Sequence, residues 1–221
     1  MTSIRLSMAV AATAAALLVG CSLPEGEAGS DYDYEPIDFG AVGDVTPPGT
    51  ELSFGDIAWV DKTSTVIDEN GDEVELSGMI GITVHDVVAG EPSFFDQYSN
   101  SSDFEGYTPY FIVIQYQWDY EIPENTSPPL LALFPMSADG EDLEFLTGAV
   151  WSVSATSDEC GISLPEYDPE TQVGMRCVVG LSTDKPVEML AYNGESYSAM
   201  VGTPGNEYLE APVLWTAAAS E

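Results

Sequence analysis

Tyr107-Thr108-Pro109-Tyr110-Phe111-Ile112-Val113-Ile114-Gln115-Tyr116-Gln117-Trp118-Asp119-Tyr120 is the stretch on which the fold turns. Counting by twos puts Tyr110, Ile112, Ile114, Tyr116, Trp118 and Tyr120 on one face, with Gln115, Gln117 and Asp119 opposite. Side chains of an extended chain alternate between two faces, so the pattern predicts a half-buried β-strand. Residues 73–84 repeat it, with Val74, Leu76, Gly78, Ile80, Ile82 and Val84 sharing a face. Shorter runs at residues 52–60, 130–134, 143–147, 173–181 and 187–192 predict further strands. In the run at 173–181, Val173, Met175, Cys177, Val179 and Leu181 are expected to face the core.

The punctuation agrees with the strands. Asn70-Gly71 and Asp139-Gly140 stand between apolar runs and are the dipeptides that accept positive φ in tight hairpin connections. No long helical periodicity occurs beyond the first 20 residues. Strands at this spacing predict an all-β, antiparallel, immunoglobulin-like sandwich of about seven to nine strands. It is expected to occupy residues 51–221, the part after Gly202 forming a C-terminal extension.

Ahead of the strands lie two segments of different character. Residues 1–20 carry one charge, Arg5, then an alanine-rich apolar run ending in Leu18-Val19-Gly20-Cys21. That order resembles a bacterial lipobox, with cleavage before Cys21 and a diacylglycerol on its thiol. The apolar run is too short to span a bilayer, which takes ~20 residues. Residues 21–50 hold seven acids, no base and four prolines, and are expected to form a disordered acidic tether.

The chain carries 38 acids against four Lys and Arg, for a net charge of −34. Removal of residues 1–20, which contain Arg5 and no acid, would make it one unit more negative. Such a field repels phosphate backbones, so nucleic acid is excluded as a partner. With Cys21 taken by lipid, Cys160 and Cys177 remain as an even pair in an exported chain. They are expected to form a disulfide that adds roughly 3 kcal/mol on the chain-entropy model.

Several stretches taken in order carry a resemblance: Gly49-Thr50-Glu51-Leu52-Ser53-Phe54-Gly55-Asp56, then Tyr110-Phe111-Ile112-Val113-Ile114-Gln115-Tyr116, then Val173-Gly174-Met175-Arg176-Cys177-Val178-Val179-Gly180-Leu181 leading to Val187-Glu188-Met189-Leu190-Ala191-Tyr192. Over residues 50–195 the chain resembles the telokin-like immunoglobulin-fold domains of bacterial surface lipoproteins. It departs from their pattern at Asp119-Tyr120-Glu121, where an asparagine-rich strand end is usual. The resemblance implies a fold and a surface setting. It transfers no catalytic residue.

Chemistry-bearing motifs are scarce. The single histidine, His85, lies on the face alternate to Ile82 and Val84 and is expected to point to solvent or a loop. No Gly-x-Ser-x-Gly, His-Glu-x-x-His, phosphate-loop or Cys-x-x-Cys motif is present. Ser182-Thr183-Asp184-Lys185 has the Ser-x-x-Lys spacing of penicillin-recognising enzymes, but it falls between strands and before Pro186, so it reads as a turn. Asp68, Asn70 and Asp72 alternate as calcium ligands do, yet Gly71 comes too early for an EF-hand loop and the twelfth-position glutamate is missing. No catalytic residue, metal ligand or cofactor is assigned.

Residues 89–109 join the two strongest strands by a long connection carrying Phe94, Phe95, Tyr98, Phe104 and Tyr107. Two uses are open: a contact surface for a partner, or a cover for the sandwich itself. The expected function is a non-catalytic lipoprotein, anchored at the extracytoplasmic face of the cell membrane. It would present an interaction surface to another envelope protein. The alternative is an accessory lipoprotein binding a small ligand or divalent cation for a transporter or sensor.

Overall fold

The computed structural model describes residues 34–124, 126, 128–129, 131–146, 160–162, 167–195 and 205–217. Cys21 and its lipobox lie outside the described residues. Nine strands are found among those described: β1 (Glu51–Ser53), β2 (Ala58–Ile67), β3 (Glu73–Ala89), β4 (Thr108–Trp118), β5 (Phe134–Met136), β6 (Glu144–Phe145), β7 (Val173–Ser182), β8 (Met189–Tyr192) and β9 (Val213–Thr216). They form two sheets, ordered β2-β3-β4-β7-β6 and β1-β9-β8-β5. The protein is therefore an all-β sandwich. One pair departs from the expected antiparallel arrangement: β1 runs parallel to β9, with Leu52 opposite Trp215.

The apolar periodicity locates the core between the sheets. Ile80, Ile82 and Val84 of β3, Ile112, Ile114, Tyr116 and Trp118 of β4 and Val178 of β7 meet Leu190, Tyr192, Val213 and Trp215 of the smaller sheet. The aromatic polar ends are matched to loop carbonyls. Trp118 Nε1 donates to Pro129 O at 3.0 Å, Tyr116 Oη to Leu131 O at 3.0 Å and Trp215 Nε1 to Asp56 O at 3.0 Å. Burial of these rings thus leaves no donor stranded.

One expected strand is cut where the chain changes sheet. The run at 52–60 breaks at Gly55, whose φ of +91° suits a residue without Cβ, and β1 and β2 go to different sheets. The Gly55 N–H donates to Val84 O at 2.8 Å. The Asp139-Gly140 turn similarly carries the chain from β5 in one sheet to β6 in the other, with Gly140 at φ +81°. The Asn70-Gly71 turn joins β2 to β3 as its dipeptide predicts.

A second correction concerns the outer face of the larger sheet, the one turned away from its partner sheet. Met175, Cys177, Val179 and Leu181 sit there, with Phe111 and Val113, in a separate apolar cluster. The inward positions of β7 are instead Gly174, Arg176, Val178 and Gly180. At Gly180 an added Cβ would lie 3.1 Å from Val187 and 3.4 Å from Ile112 and Pro135. β7 therefore turns its slimmer face to the tight inter-sheet space, and its richer apolar face outward.

Residues 34–46, expected to belong to the free tether, lie against this same outer face and its β2 edge. Phe39 is 6% exposed and meets the Trp59 ring edge-on at 5.9 Å. Gly81 makes the approach possible, since a Cβ there would stand 2.6 Å from the Phe39 ring. Thr46 N–H donates to Trp59 O at 2.8 Å, and Trp59 N–H returns a bond to Thr46 Oγ1 at 3.0 Å. Two apolar side chains and paired backbone groups outweigh the acidic composition of the stretch. The strand β4, expected to be half-buried, is covered on both sides.

Candidate functional site

The outer face of the larger sheet gathers most of the chemistry-bearing residues. Over β3 and β4 lies the strap of residues 34–46. Gln115, fully buried on β4, donates from Nε2 to Ile37 O at 2.8 Å and accepts at Oε1 from the Ile37 N–H at 2.8 Å. This pair of main-chain bonds sets the amide orientation. His85 Nε2 lies 2.8 Å from the same Oε1, so it must be the donor.

His85 occupies an irregularity in the ladder, where the register shifts between Val84 and Asp86. The extra residue of a bulge is re-aimed relative to its neighbours. Of the two expected directions, solvent or a loop, His85 takes the second and is turned under the strap. The Tyr34 ring meets it edge-on at 5.7 Å, and Tyr34 Oη donates to Asp86 Oδ2 at 3.4 Å. Burial pushes the imidazole pKa down, against smaller upward contributions from Gln115 and Asp86. The ring is thus held neutral with its Nε2 proton committed to an amide oxygen. Its role here is that of a fastener.

Over β4 and β7 lies the aromatic cover. Residues 92–104 form two short 3-10 turns, Pro92–Gln97 and Ser101–Phe104. Phe94 and Phe95 are 6% and 2% exposed. Phe94 stands edge-on to Phe111 at 5.0 Å, and Phe95 stacks on Phe104 at 4.7 Å. Tyr98 packs edge-on against Phe94, and Tyr107 Oη donates to Glu144 Oε2 at 2.9 Å. Of the five residues expected as a contact loop, the two phenylalanines at 94 and 95 are packed into the outer cluster. The segment closes the sheet's own face. Between the two turns remains an open depression of about 450 Å³, floored by Phe95 and Phe104 and rimmed by Ser93, Asp96, Ser102 and Glu105.

The cysteines belong to the same outer cluster. Cys160, 2% exposed, and Cys177 of β7 are brought to disulfide distance, with Cα atoms 6.2 Å apart. Their place is the outer cluster and not the inter-sheet core.

Two remaining sequence candidates resolve as turns. Lys185 N–H donates to Ser182 Oγ at 3.1 Å, while Lys185 Nζ is held by Asp139 Oδ2 at 2.8 Å and Glu141 Oε2 at 2.6 Å. The two carboxylates raise the lysine pKa well above its ordinary value, so its amine is no base for Ser182. Asp68 Oδ1 accepts the Asn70 and Asp72 amides, each at 2.9 Å, which lowers its pKa and closes the hairpin. Among the described residues no group of three or more His, Cys, Asp or Glu is placed to hold a metal ion.

Sequence reasoning missed Ile37, Phe39 and Gln115 as a unit. Gln115 was legible only as a polar residue opposite an apolar face, and nothing in its neighbours announces a partner 78 positions away.

Comparison with known proteins yields one structural likeness. The chain is similar to a secreted protein of Mycobacterium tuberculosis, MPT63, at 10% identity and a TM-score of 0.42, over 77% of this chain and 99% of that one. No family model matches the chain and no curated protein matches it. The telokin-like resemblance accordingly stands as a β-sandwich and no further.

Proposed function

We propose that this protein is a non-catalytic lipoprotein whose β-sandwich is held outside the cytoplasm by a lipid on Cys21, where it presents a binding surface to another envelope component. The observation that carries the reading is the sequence Leu18-Val19-Gly20-Cys21 behind a short alanine-rich apolar run. The Cys160 and Cys177 pair, at disulfide distance, suits an oxidising compartment. Non-catalytic character is supported by how the reactive groups are used. His85 is bonded to a buried amide, Lys185 is clamped by two carboxylates, and the two described cysteines face each other.

The test is detergent-phase partitioning and intact mass of the full chain produced in a lipoprotein-processing bacterium, beside Cys21→Ala. The wild type is expected in the detergent phase with the mass of a lipidated N-terminal cysteine, and the variant in the aqueous phase. A variant that remains with the membrane, or a wild type without lipid mass, would overturn the reading.

A further inference from the structure

The long hairpin of β2 and β3 outruns the sheet to which it belongs. β4 pairs with β3 only from Ile80 onward, so among the described residues β2 is the one strand neighbour of residues 73–79. At Met79 the chain beyond β4 takes over, Asp119 N–H donating to Met79 O at 3.1 Å and Asp119 Oδ1 accepting the Met79 N–H at 2.8 Å. Beyond that point the hairpin is a two-stranded arm, its tip at Asn70-Gly71.

The outer edge of the arm is open. Residues of an antiparallel strand alternate in bonding to one neighbour or the other. Trp59 belongs to the outward set, since its carbonyl takes the Thr46 N–H and not a β3 amide. Asp61, Thr63, Thr65 and Ile67 continue that set, and all four are exposed. Among the described residues their N–H and C=O groups, a row of roughly 20 Å, have no main-chain partner. Edges are usually protected by proline, bulges, short strands, a covering loop or charged side chains, lysine above all. β2 has no proline, runs in unbroken register with β3 and carries one lysine, Lys62. The strap already pairs with this edge at Trp59, so the line on which a further strand would lie is begun by the protein's own chain.

We propose that the β2 edge from Asp61 to Ile67 is a docking site for an extended, basic polypeptide segment that adds to the sheet as a further strand. This deepens the reading of the sandwich as an interaction domain and rests on it for the extracytoplasmic setting. Strand addition draws affinity from main-chain bonds and selectivity from alternate side chains. Here selectivity comes from charge. Residues 61–79 contain six acids, Asp61, Asp68, Glu69, Asp72, Glu73 and Glu75, and the single base Lys62. Ile67, 55% exposed, adds an apolar contact at the far end. A second copy of this chain is a poor occupant, because it would set a net charge of −34 against itself.

The test uses the full chain in detergent and a fluorescent decapeptide of alternating lysine and valine, read by anisotropy at low salt. Saturable binding is expected, with none for the glutamate-valine counterpart. The same lysine peptide N-methylated at alternate residues keeps its charge and loses its bonding edge, and is expected to bind at least about tenfold more weakly. Thr65→Pro removes one outward N–H without touching the β2–β3 bonds and is expected to weaken binding by about tenfold. Glu73→Lys with Glu75→Lys takes residues 61–79 from a net charge of −5 to −1 and should weaken binding of the lysine peptide. Absence of saturable binding overturns the proposal. Equal binding of the N-methylated peptide does so too, without depending on how any variant folds. A dimer by sedimentation that Thr65→Pro abolishes would assign the edge to a second copy, and would equally overturn it. Lipidation of Cys21 is read in a different experiment, so failure of either inference leaves the other standing.

Discussion

The two faces of the five-stranded sheet are buried by different means. Toward the second sheet, Ile80, Ile82, Val84, Ile112 and Ile114 meet strands whose own side chains alternate in the same way. On the outer face, Phe111, Val113, Met175 and Val179 are closed over by a strap and two 3-10 turns that belong to no sheet. The first face is a repeating fit of strand against strand. The second depends on a few fastenings: the Ile37–Gln115 bonds, the Phe39 contact at Gly81 and the Cys160–Cys177 pair. Periodic packing spreads its stabilisation over many contacts, whereas a fastened cover concentrates it in a few groups whose loss is local.

The sharpest break of this comparison lies on the inner face. Trp118→Ala removes a fully buried ring bonded to Pro129 O and edge-on to Tyr167. It is expected to cost about 4 kcal/mol, a large share of the stability of an ordinary domain, read as a lower urea midpoint with hydrogen exchange accelerated in both sheets. A loss under about 1 kcal/mol would deny that this face is the principal core.

On the outer face the expected effects are smaller and confined. Cys160→Ala with Cys177→Ala should lower stability by about 3 kcal/mol, with non-reducing peptide mass spectrometry of the wild type showing the two cysteines joined. Gln115→Leu fills similar space but strands the Ile37 N–H and C=O, and is expected to cost about 2 kcal/mol. Hydrogen exchange should then rise at Ile37 and along the strap while the smaller sheet stays protected. Uniform acceleration in both sheets would mean that strap and core form one cooperative unit.

The inner face was readable because alternation at residues 73–84 and 107–120 is a local signal. Asn70-Gly71 was readable for the same reason. The outer face was not, since its cover comes from distant segments of misleading composition. Ile37 and Phe39 stand among Glu35, Asp38 and Asp44, and a count of charges outvotes two apolar residues. The run at 173–181 misled differently. Its apolar positions name a buried face, but which face that is turns on Gly180, where an added Cβ would lie 3.1 Å from Val187. The aromatic segment at 94–107 left two uses open, and the rings at Phe94 and Phe95 resolve as a cover.

The smallest expected effect distinguishes the fastener role of His85. Its folded pKa lies below the ordinary 6.5, with burial the leading cause. The unfolded chain therefore binds the proton more readily, and stability falls as pH drops below 6.5 through the folded pKa. Melting temperatures of the wild type and His85→Gln between about pH 5 and pH 7.5 isolate this from the titrating acids. The wild type should lose ground to the variant as pH falls. A gap that stays constant would mean that the imidazole does not change its charge on unfolding.

The parallel pairing of β1 with β9 has a consequence for the order in which the molecule is made. Thr216 Oγ1 donates to Leu52 O across 164 positions of chain, so β1 leaves the ribosome long before the strand that completes it exists. Contacts this distant in sequence slow folding, because the intervening chain must be gathered first. The smaller sheet cannot assemble on a growing chain, and Trp215 cannot reach its site until synthesis has passed it.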